Sequence, residues 1–485
     1  MRIYSKLFLL TFFILTIRAE ENLNLFDPMD VFELEWASDP QVSPDGKKIV
    51  YVRKSNDIMK DRVRSSLWQI DITGKNHRPI NSGLKNSYSP RWSLDKQKLA
   101  FVSNNSGSTQ IHMHWLKSGE TAVITQLQES PSSLSWSPDG KWLAFTMNVK
   151  AESESIVEER EKPDGALWAK KPITVTTTQY QYDGRGIVEP SYRHIFIVPS
   201  EGGSARQLTE GDFNHYGGLS WSPDSENIFF SAHRSDNWEL VSDEADIYKL
   251  NIASRALKQI TNQSGEESSP IISPNGNMIA FNLKERRPLA YTPKRIAVMN
   301  VNGKNIRILT NDLDGDAENI IWSQDNQSIH FTYDQRGIRK IGKVGLNGDI
   351  KNIASNVGGT TIGRPYISGN YHIELDTIAF TLSSPDRPSD IAIVNDGGLK
   401  VLTNLNDDLL AHRELGEVNE IVYKSSFDGQ EIQGWYITPP NYDSSKKYPL
   451  ILEIHGGPHL AYGPHFSAEL QIMAAAGYIV SVSYT

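Results

Sequence analysis

The chain has 485 residues, 38% of them hydrophobic and 22% charged, with a formal net charge of −9 and no cysteine. That length exceeds the usual size of one domain, and an acidic balance without a basic stripe excludes a nucleic-acid surface, which needs clustered Lys and Arg. Without cysteine the fold relies on neither disulfides nor thiolate chemistry, which leaves the redox compartment open.

Arg2 and Lys6 precede an apolar stretch from Leu7 to Ile17, then come Arg18, Ala19 and the acidic pair Glu20-Glu21. This is the layout of a secretory signal peptide over residues 1–19. The stretch falls short of the roughly 20 residues a transmembrane helix needs, so no stable membrane span is expected. An uncleaved anchor is the alternative; on either reading the protein is exported, to the periplasm or the medium.

A repeated turn then sets the period. Val42-Ser43-Pro44-Asp45-Gly46, Trp92-Ser93-Leu94-Asp95, Trp136-Ser137-Pro138-Asp139-Gly140, Trp221-Ser222-Pro223-Asp224, Ile272-Ser273-Pro274-Asn275-Gly276 and Trp322-Ser323-Gln324-Asp325 each precede a short apolar strand. The acidic or amide position recurs at 45, 95, 139, 224, 275 and 325, at intervals of 50, 44, 85, 51 and 50. All but one interval is the length of a β-propeller blade. Pro-Asp-Gly supplies a fixed φ, a capping side chain and a positive-φ position, which is what a tight turn between two strands requires. A second beat keeps the phase: Val123-Ile124-Thr125, Gln207-Leu208-Thr209, Gln259-Ile260-Thr261, Ile308-Leu309-Thr310 and Val401-Leu402-Thr403 each close an apolar strand. Thr377 to Thr381 with Ile391 to Val394 offers a seventh unit with a degenerate turn, so seven blades are expected over residues 25–410. The long interval holds the charged stretch Glu152 to Glu161 and the Tyr-rich, Thr-rich Trp168 to Tyr192, read as an insertion within the third blade or between blades.

After Thr403 the period changes. Asn404 to Leu415 reads as a partly helical linker, followed by strands at Glu417 to Ser426 and Glu431 to Thr438 around Phe427-Asp428-Gly429. A Pro- and Tyr-rich crossing leads to an apolar strand, Leu450 to Ile454. A helix from about Ser467 to Ala476 stops at Gly477, and a β-rich strand, Tyr478 to Tyr484, follows. Two hairpin strands, a buried strand, a helix and another buried strand are how an α/β-hydrolase sheet begins. The expected fold is an all-β seven-bladed propeller followed by the first part of an α/β-hydrolase domain, residues 417–485.

With these repeats followed by Tyr448-Pro449-Leu450, His455-Gly456-Gly457-Pro458 and the Ala-Ala-Ala-Gly-Tyr stretch at 474–478, the chain resembles the prolyl oligopeptidase family of serine peptidases. Its acylaminoacyl peptidase and dipeptidyl peptidase branch is nearest. The resemblance implies acyl transfer to a serine, with His as base and Asp as its orienter, acting on short peptides. It also implies an oxyanion turn at His455, Gly456 and Gly457, with Gly457 as a backbone donor, Gly456 permitting the turn and His455 shaping it. Pro458 has no N–H to donate and fixes geometry only.

No serine of the chain sits in Gly-x-Ser-x-Gly; Gly202-Gly203-Ser204-Ala205-Arg206 comes nearest and fails at Arg206. The triad Asp and His follow the nucleophile in this fold's chain order, so none of the triad is expected within residues 1–485. The chain reads as truncated before the catalytic serine and is expected to be inactive alone, with the apolar strand Val480 to Tyr484 covered on one face at most. A carboxylesterase on the same scaffold and a noncatalytic binding propeller are the alternative readings. His112 and His114 lie two apart on a strand without a third metal partner. The loop Asp236 to Asp246, with Glu239, Asp243, Glu244 and Asp246, reads as a solvated blade loop or as a place for a peptide's free amine. No nucleotide, zinc or calcium motif stands out, so no cofactor is expected.

Overall fold

The computed structural model describes residues 24–484 apart from 82–84, 152–159, 170–172, 242, 288, 290 and 458. The signal peptide expected at 1–19, Pro458 and most of the charged stretch from Glu152 therefore lie outside the described residues. Five four-stranded antiparallel sheets follow one another along the chain, at 35–79, 87–123, 132–207, 215–259 and 265–308. An eight-stranded sheet then spans 317–401, and its two halves meet only at the pair Val357 and Leu382. The 85-residue interval is resolved as an insertion inside the third sheet: Trp142–Lys150 pairs with Ser191–Pro199 across it, and a small hairpin, Gln181–Tyr182 with Gly186–Ile187, stands within it.

The repeated turn works as its chemistry dictates. Ser43 Oγ donates to Asp45 Oδ1 at 2.7 Å, Asp45 accepts the Lys47 amide at 3.2 Å, and Ser43 Oγ accepts the Lys48 amide at 3.0 Å. The same serine-to-acid bond recurs at Ser93 and Asp95 (2.5 Å), Ser137 and Asp139 (2.6 Å), and Ser222 and Asp224 (2.5 Å), and Ser273 donates likewise to the amide oxygen of Asn275 (2.8 Å). The serine hydroxyl on Asp45, and likewise on Asp224, holds each carboxyl below its usual range. In the sixth turn Ser323 bonds to Ser328 instead, while Asp325 still accepts the Gln327 amide at 2.9 Å.

The Thr beat has an equally local cause. Each outermost strand is too short to finish the ladder, and the threonine hydroxyl takes the next strand amide. Ile111 donates to Thr125 Oγ1 at 3.0 Å, and Ile195, Ile247, Ile296 and Ile391 donate to Thr209, Thr261, Thr310 and Thr403, each at 2.9 Å. A buried amide that would otherwise lack a partner is thereby satisfied. One repeat feature has no obvious sequence signature. The first strand of nearly every sheet carries a bulge around a left-handed residue: Asp39 (φ 45°), Ser89 (53°), Gly218 (94°), Ser269 (53°) and Asn319 (51°).

The first sheet packs on the last strands of the eight-stranded sheet, with Ala37, Val42, Ile49 and Tyr51 against Ala379, Ile391, Ile393 and Leu405. Polar bonds close the same seam: Ser389 Oγ donates to Ala37 O at 2.6 Å, and the Glu35 amide donates to Asn406 Oδ1 at 2.8 Å. The linker holds one helical turn, Asp407–Leu410.

Beyond the linker lies a four-stranded mixed sheet. Val418–Lys424 and Glu431–Ile437 form a hairpin, Ile479–Tyr484 pairs antiparallel with the second of these, and Leu450–Glu453 pairs parallel with Ile479–Tyr484 at the far edge. The crossover is the helix Ala468–Ala475, capped by Ser467 Oγ accepting the Leu470 amide and left through Gly477 at φ 93°. Trp435, Ile437, Tyr462, Leu470, Ala474 and Val480 bury one face of this sheet. The strand expected to be apolar from Leu450 to Ile454 is interrupted by Glu453, and its other face is open: Leu450, Leu452 and Ile454 are 65%, 60% and 65% exposed. No helix among the described residues is long and apolar enough to cross a membrane.

Candidate active-site turn

His455, Gly456 and Gly457 follow the parallel strand Leu450–Glu453, where the chain leaves the sheet toward the helix Ala468–Ala475. His455 Nδ1 donates to the Gly456 carbonyl at 3.0 Å, and its ring lies edge-on to the buried Tyr462, 5.6 Å between centroids. The imidazole thus braces the turn. The strain falls on Gly457 rather than Gly456. Gly457 has φ 137°, and a Cβ there would lie 2.7 Å from His459 N and 2.9 Å from Leu460 N; a Cβ on Gly456 would meet only Tyr366 Oη, at 3.7 Å.

The two glycine amides have different fates. Gly456 N donates to Tyr366 Oη at 3.3 Å, whereas no acceptor among the described residues faces Gly457 N. Both glycines are exposed. An unclaimed N–H on an exposed, braced turn is able to receive an oxyanion.

Three residues that the sequence did not single out complete the surroundings. Tyr366 sits on the connection between the two halves of the eight-stranded sheet, and its ring packs on Tyr462 at 4.8 Å. The Gly456 amide donated to its oxygen holds its phenol below the ordinary tyrosine range, whereas burial pushes the Tyr462 phenol up. Tyr462 Oη donates to Glu453 Oε1 at 3.2 Å. Arg364 reaches both Glu453 (3.3 Å) and Glu469 (3.1 Å), binding the strand end and the helix start to the propeller connection. Nothing within ten residues of Tyr366 or Arg364 announces the partnership, because the turn lies about ninety positions later.

The other candidates lie elsewhere. His112 is buried against Phe101, with rings 5.3 Å apart, and His114 bonds Thr121 at 2.9 Å; burial depresses both imidazoles. No group of three metal-ligating residues occurs among the described residues. Ser204 follows a turn in which Gly202 N donates to Pro199 O at 2.9 Å. Glu239, Asp243 and Glu244 line an open cavity of about 780 Å³, together with Tyr180, Tyr192 and Trp238. Lys284 pairs with Asp243 at 3.0 Å and Arg286 with Glu244 at 2.9 Å, so much of that loop's charge is already met.

The TolB β-propeller domain model matches residues 47–285 and 221–410, and the chain belongs to that family. Its relatives are peptidases. The uncharacterized peptidase YuxL of Bacillus subtilis is 29% identical over 469 residues, covering 93% of this chain and 69% of YuxL. Dipeptidyl-peptidase 5 of Porphyromonas gingivalis is 25% identical over 468 residues, covering 92% of this chain and 66% of that protein. Among solved structures, an acylaminoacyl peptidase in complex with Z-Gly-Gly-Phe-chloromethyl ketone aligns with a TM-score of 0.74 at 18% identity, over 94% of this chain and 66% of that one. Acylaminoacyl peptidase of Pyrococcus horikoshii gives 0.74 at 17% identity, over 95% and 66%. The chain therefore has the fold of these enzymes and spans about two thirds of their length.

Proposed function

We propose that this chain belongs to an exported serine peptidase of the acylaminoacyl or dipeptidyl peptidase type that cleaves short peptides through an acyl-enzyme. On this reading residues 25–410 form a seven-bladed propeller, the eight-stranded sheet counting as two blades, and residues 417–485 open an α/β-hydrolase sheet. The triad Ser, Asp and His are supplied from outside these residues. The observation that carries the proposal is the turn after Leu450–Glu453, where a braced His455 and a strained Gly457 present one unclaimed amide. Peptide carbonyl addition places negative charge on oxygen, and a fixed N–H aimed at that oxygen lowers the barrier. Two further features support it. The sheet order, with the helix crossover between parallel neighbours, is consistent with an opening α/β-hydrolase sheet. The apolar face left open at Leu450, Leu452 and Ile454 is the kind that α/β sheets bury under a second layer.

The test is to produce the full-length protein from its natural gene, treat it with a fluorophosphonate probe, and assay acylaminoacyl, dipeptidyl and simple ester substrates. Labelling of one serine together with hydrolysis of the peptide substrates is expected. Ester turnover without peptide turnover would replace the reading with a carboxylesterase, and no labelling would replace it with a binding propeller. Amino-terminal sequencing of secreted material tests export.

A further inference from the structure

The connection between the two halves of the eight-stranded sheet does more than link strands. Its Tyr366 forms an antiparallel bridge with Tyr462 of the carboxyl-terminal segment, flanked by Ile367 N donating to Ala461 O at 3.1 Å and Gly463 N donating to Pro365 O at 2.9 Å. Further along, Ser467 Oγ donates to Gly363 O at 2.7 Å and the Ala468 amide to Ile362 O at 2.8 Å. With Arg364 on Glu453 and Glu469, the same six-residue stretch, 362–367, holds the end of the strand, the turn and the start of the helix. Tyr366 is thus fixed at its backbone, at its ring and at its hydroxyl.

We propose that Tyr366 is the positioning residue of the oxyanion turn: its hydroxyl captures the Gly456 amide, which leaves the Gly457 amide as the donor for substrate. The inference rests on the serine-peptidase reading above. A His-Gly-Gly turn has wide backbone freedom, because glycine populates positive and negative φ with similar ease. If neither amide were engaged, the peptide planes on either side of Gly456 would rotate and the Gly457 N–H would sample many directions. Preorganised donors are effective because they need no reorientation when charge develops. Tying down the first amide restricts the second, and the tie comes from the propeller rather than from the sheet that carries the turn. The seating of the propeller is thereby linked to the geometry of the turn. Residues with no contact to substrate act through this bond, and a shift of the 362–367 stretch would move the donor.

The test uses Tyr366→Phe, which removes the hydroxyl and keeps the ring on Tyr462. His455-Gly456 is the only His-Gly step in the sequence, so carbonyl-¹³C histidine with ¹⁵N glycine gives a single amide resonance for Gly456. In the unsubstituted protein this amide is expected to exchange with solvent about tenfold or more slowly than the Gly457 amide, as bonded amides do. The substitution is expected to abolish that protection and move the resonance upfield. In the full-length enzyme it lowers kcat by about 3- to 10-fold with KM unchanged, the effect of one neutral hydrogen bond felt only in the transition state. Affinity for a peptide boronic acid, which mimics the tetrahedral adduct, falls by the same factor. Rapid exchange of Gly456 in the unsubstituted protein, or an unchanged resonance in the variant, would overturn the proposal without touching the peptidase reading. A protected Gly456 amide in a full-length protein that hydrolyses no peptide would instead sink the peptidase reading.

Discussion

Replacing Gly337 with alanine is expected to loosen the carboxyl-terminal sheet from the propeller while leaving the propeller itself folded. Arg336 (φ 50°) and Gly337 (φ 74°) make a two-residue turn between Ser328–Gln335 and Ile338–Gly345, and two successive positive φ values mark the type I′ hairpin. The tip of this hairpin abuts Trp435: a Cβ on Gly337 would lie 2.1 Å from Cη2 and 2.5 Å from Cζ2 of the indole. Trp435 is 3% exposed and packed among Ile437, Tyr462 and Leu470, so it has nowhere to go. Left-handed alanine costs roughly 1–2 kcal/mol, and forcing extra volume into a packed contact costs about 1–3 kcal/mol more. Only the second cost is relieved by undocking the sheet. Gly140→Ala isolates the first, because Gly140 has φ 70° and nothing within 4 Å of its added Cβ. Hydrogen exchange followed by mass spectrometry over residues 431–437 reads the difference. Gly337→Ala should accelerate exchange there by about 5- to 150-fold, the factor for about 1–3 kcal/mol, whereas Gly140→Ala should leave it unchanged. Equal exchange of 431–437 in both variants would refute the argument that this contact seats the sheet.

Gly457→Ala drives its methyl against the amides of His459 and Leu460; on the proposed function, kcat of the full-length enzyme falls by about 100-fold or more. Retained turnover would remove Gly457 from the oxyanion site. Lys96→Gly is expected to stabilise by about 0.5–1 kcal/mol, read as a higher melting temperature, since Lys96 sits exposed at φ 63° where the sister turns have Gly46, Gly140 and Gly276. Glu267 is fully buried beside Thr261 and Asp246; burial first, and then the charge of Asp246, raises its pKa from 4.5 to about 7 against the opposing pull of the Thr261 hydroxyl. The folded state binds the proton more tightly than the unfolded one, so the ionised group weakens the fold as pH rises from 4.5 through 7. Glu267→Gln should therefore match the parent below about pH 4.5 and gain up to about 3 kcal/mol at about pH 8, measured as urea midpoints; a pH-independent difference would show that Glu267 does not titrate in that window.

The parts legible in the sequence are those whose cause is local. Ser-Pro-Asp needs only six residues to make its turn, and it makes the same bonds wherever it recurs. The threonine beat is visible although its reason is not, because the threonine hydroxyl serves an isoleucine amide twelve to fourteen residues upstream. The cap at Ser467 and the stop at Gly477 carried the same local logic. By contrast, the bulges at Asp39, Ser89, Ser133, Ser269 and Asn319 occupy small polar residues that also stand at many other positions, so residue type alone does not mark where the ladder holds a left-handed residue. Glu453 is plain in the sequence, but only Arg364 and Tyr462, from a distant segment and the following turn, explain a carboxylate in that strand.

The candidate site divides along the same line. His455 and Gly457 are readable because brace and strain are both settled within five residues, at Gly456 O and at the amides of His459 and Leu460. What points the Gly457 amide is not, because the Gly456 amide is claimed by a phenol ninety positions earlier in the chain. No periodicity records such a pairing: Tyr366 lies outside the strands, on a connection whose length differs from those of its sisters. Its value arises only when the first sheet has met the last and the carboxyl-terminal sheet has docked on Gly337 and on the 362–367 stretch. A turn assembled in this way depends on propeller closure, so destabilising the seam at Ala37 and Ser389 should disturb the Gly456 amide before it unfolds the sheet that carries it.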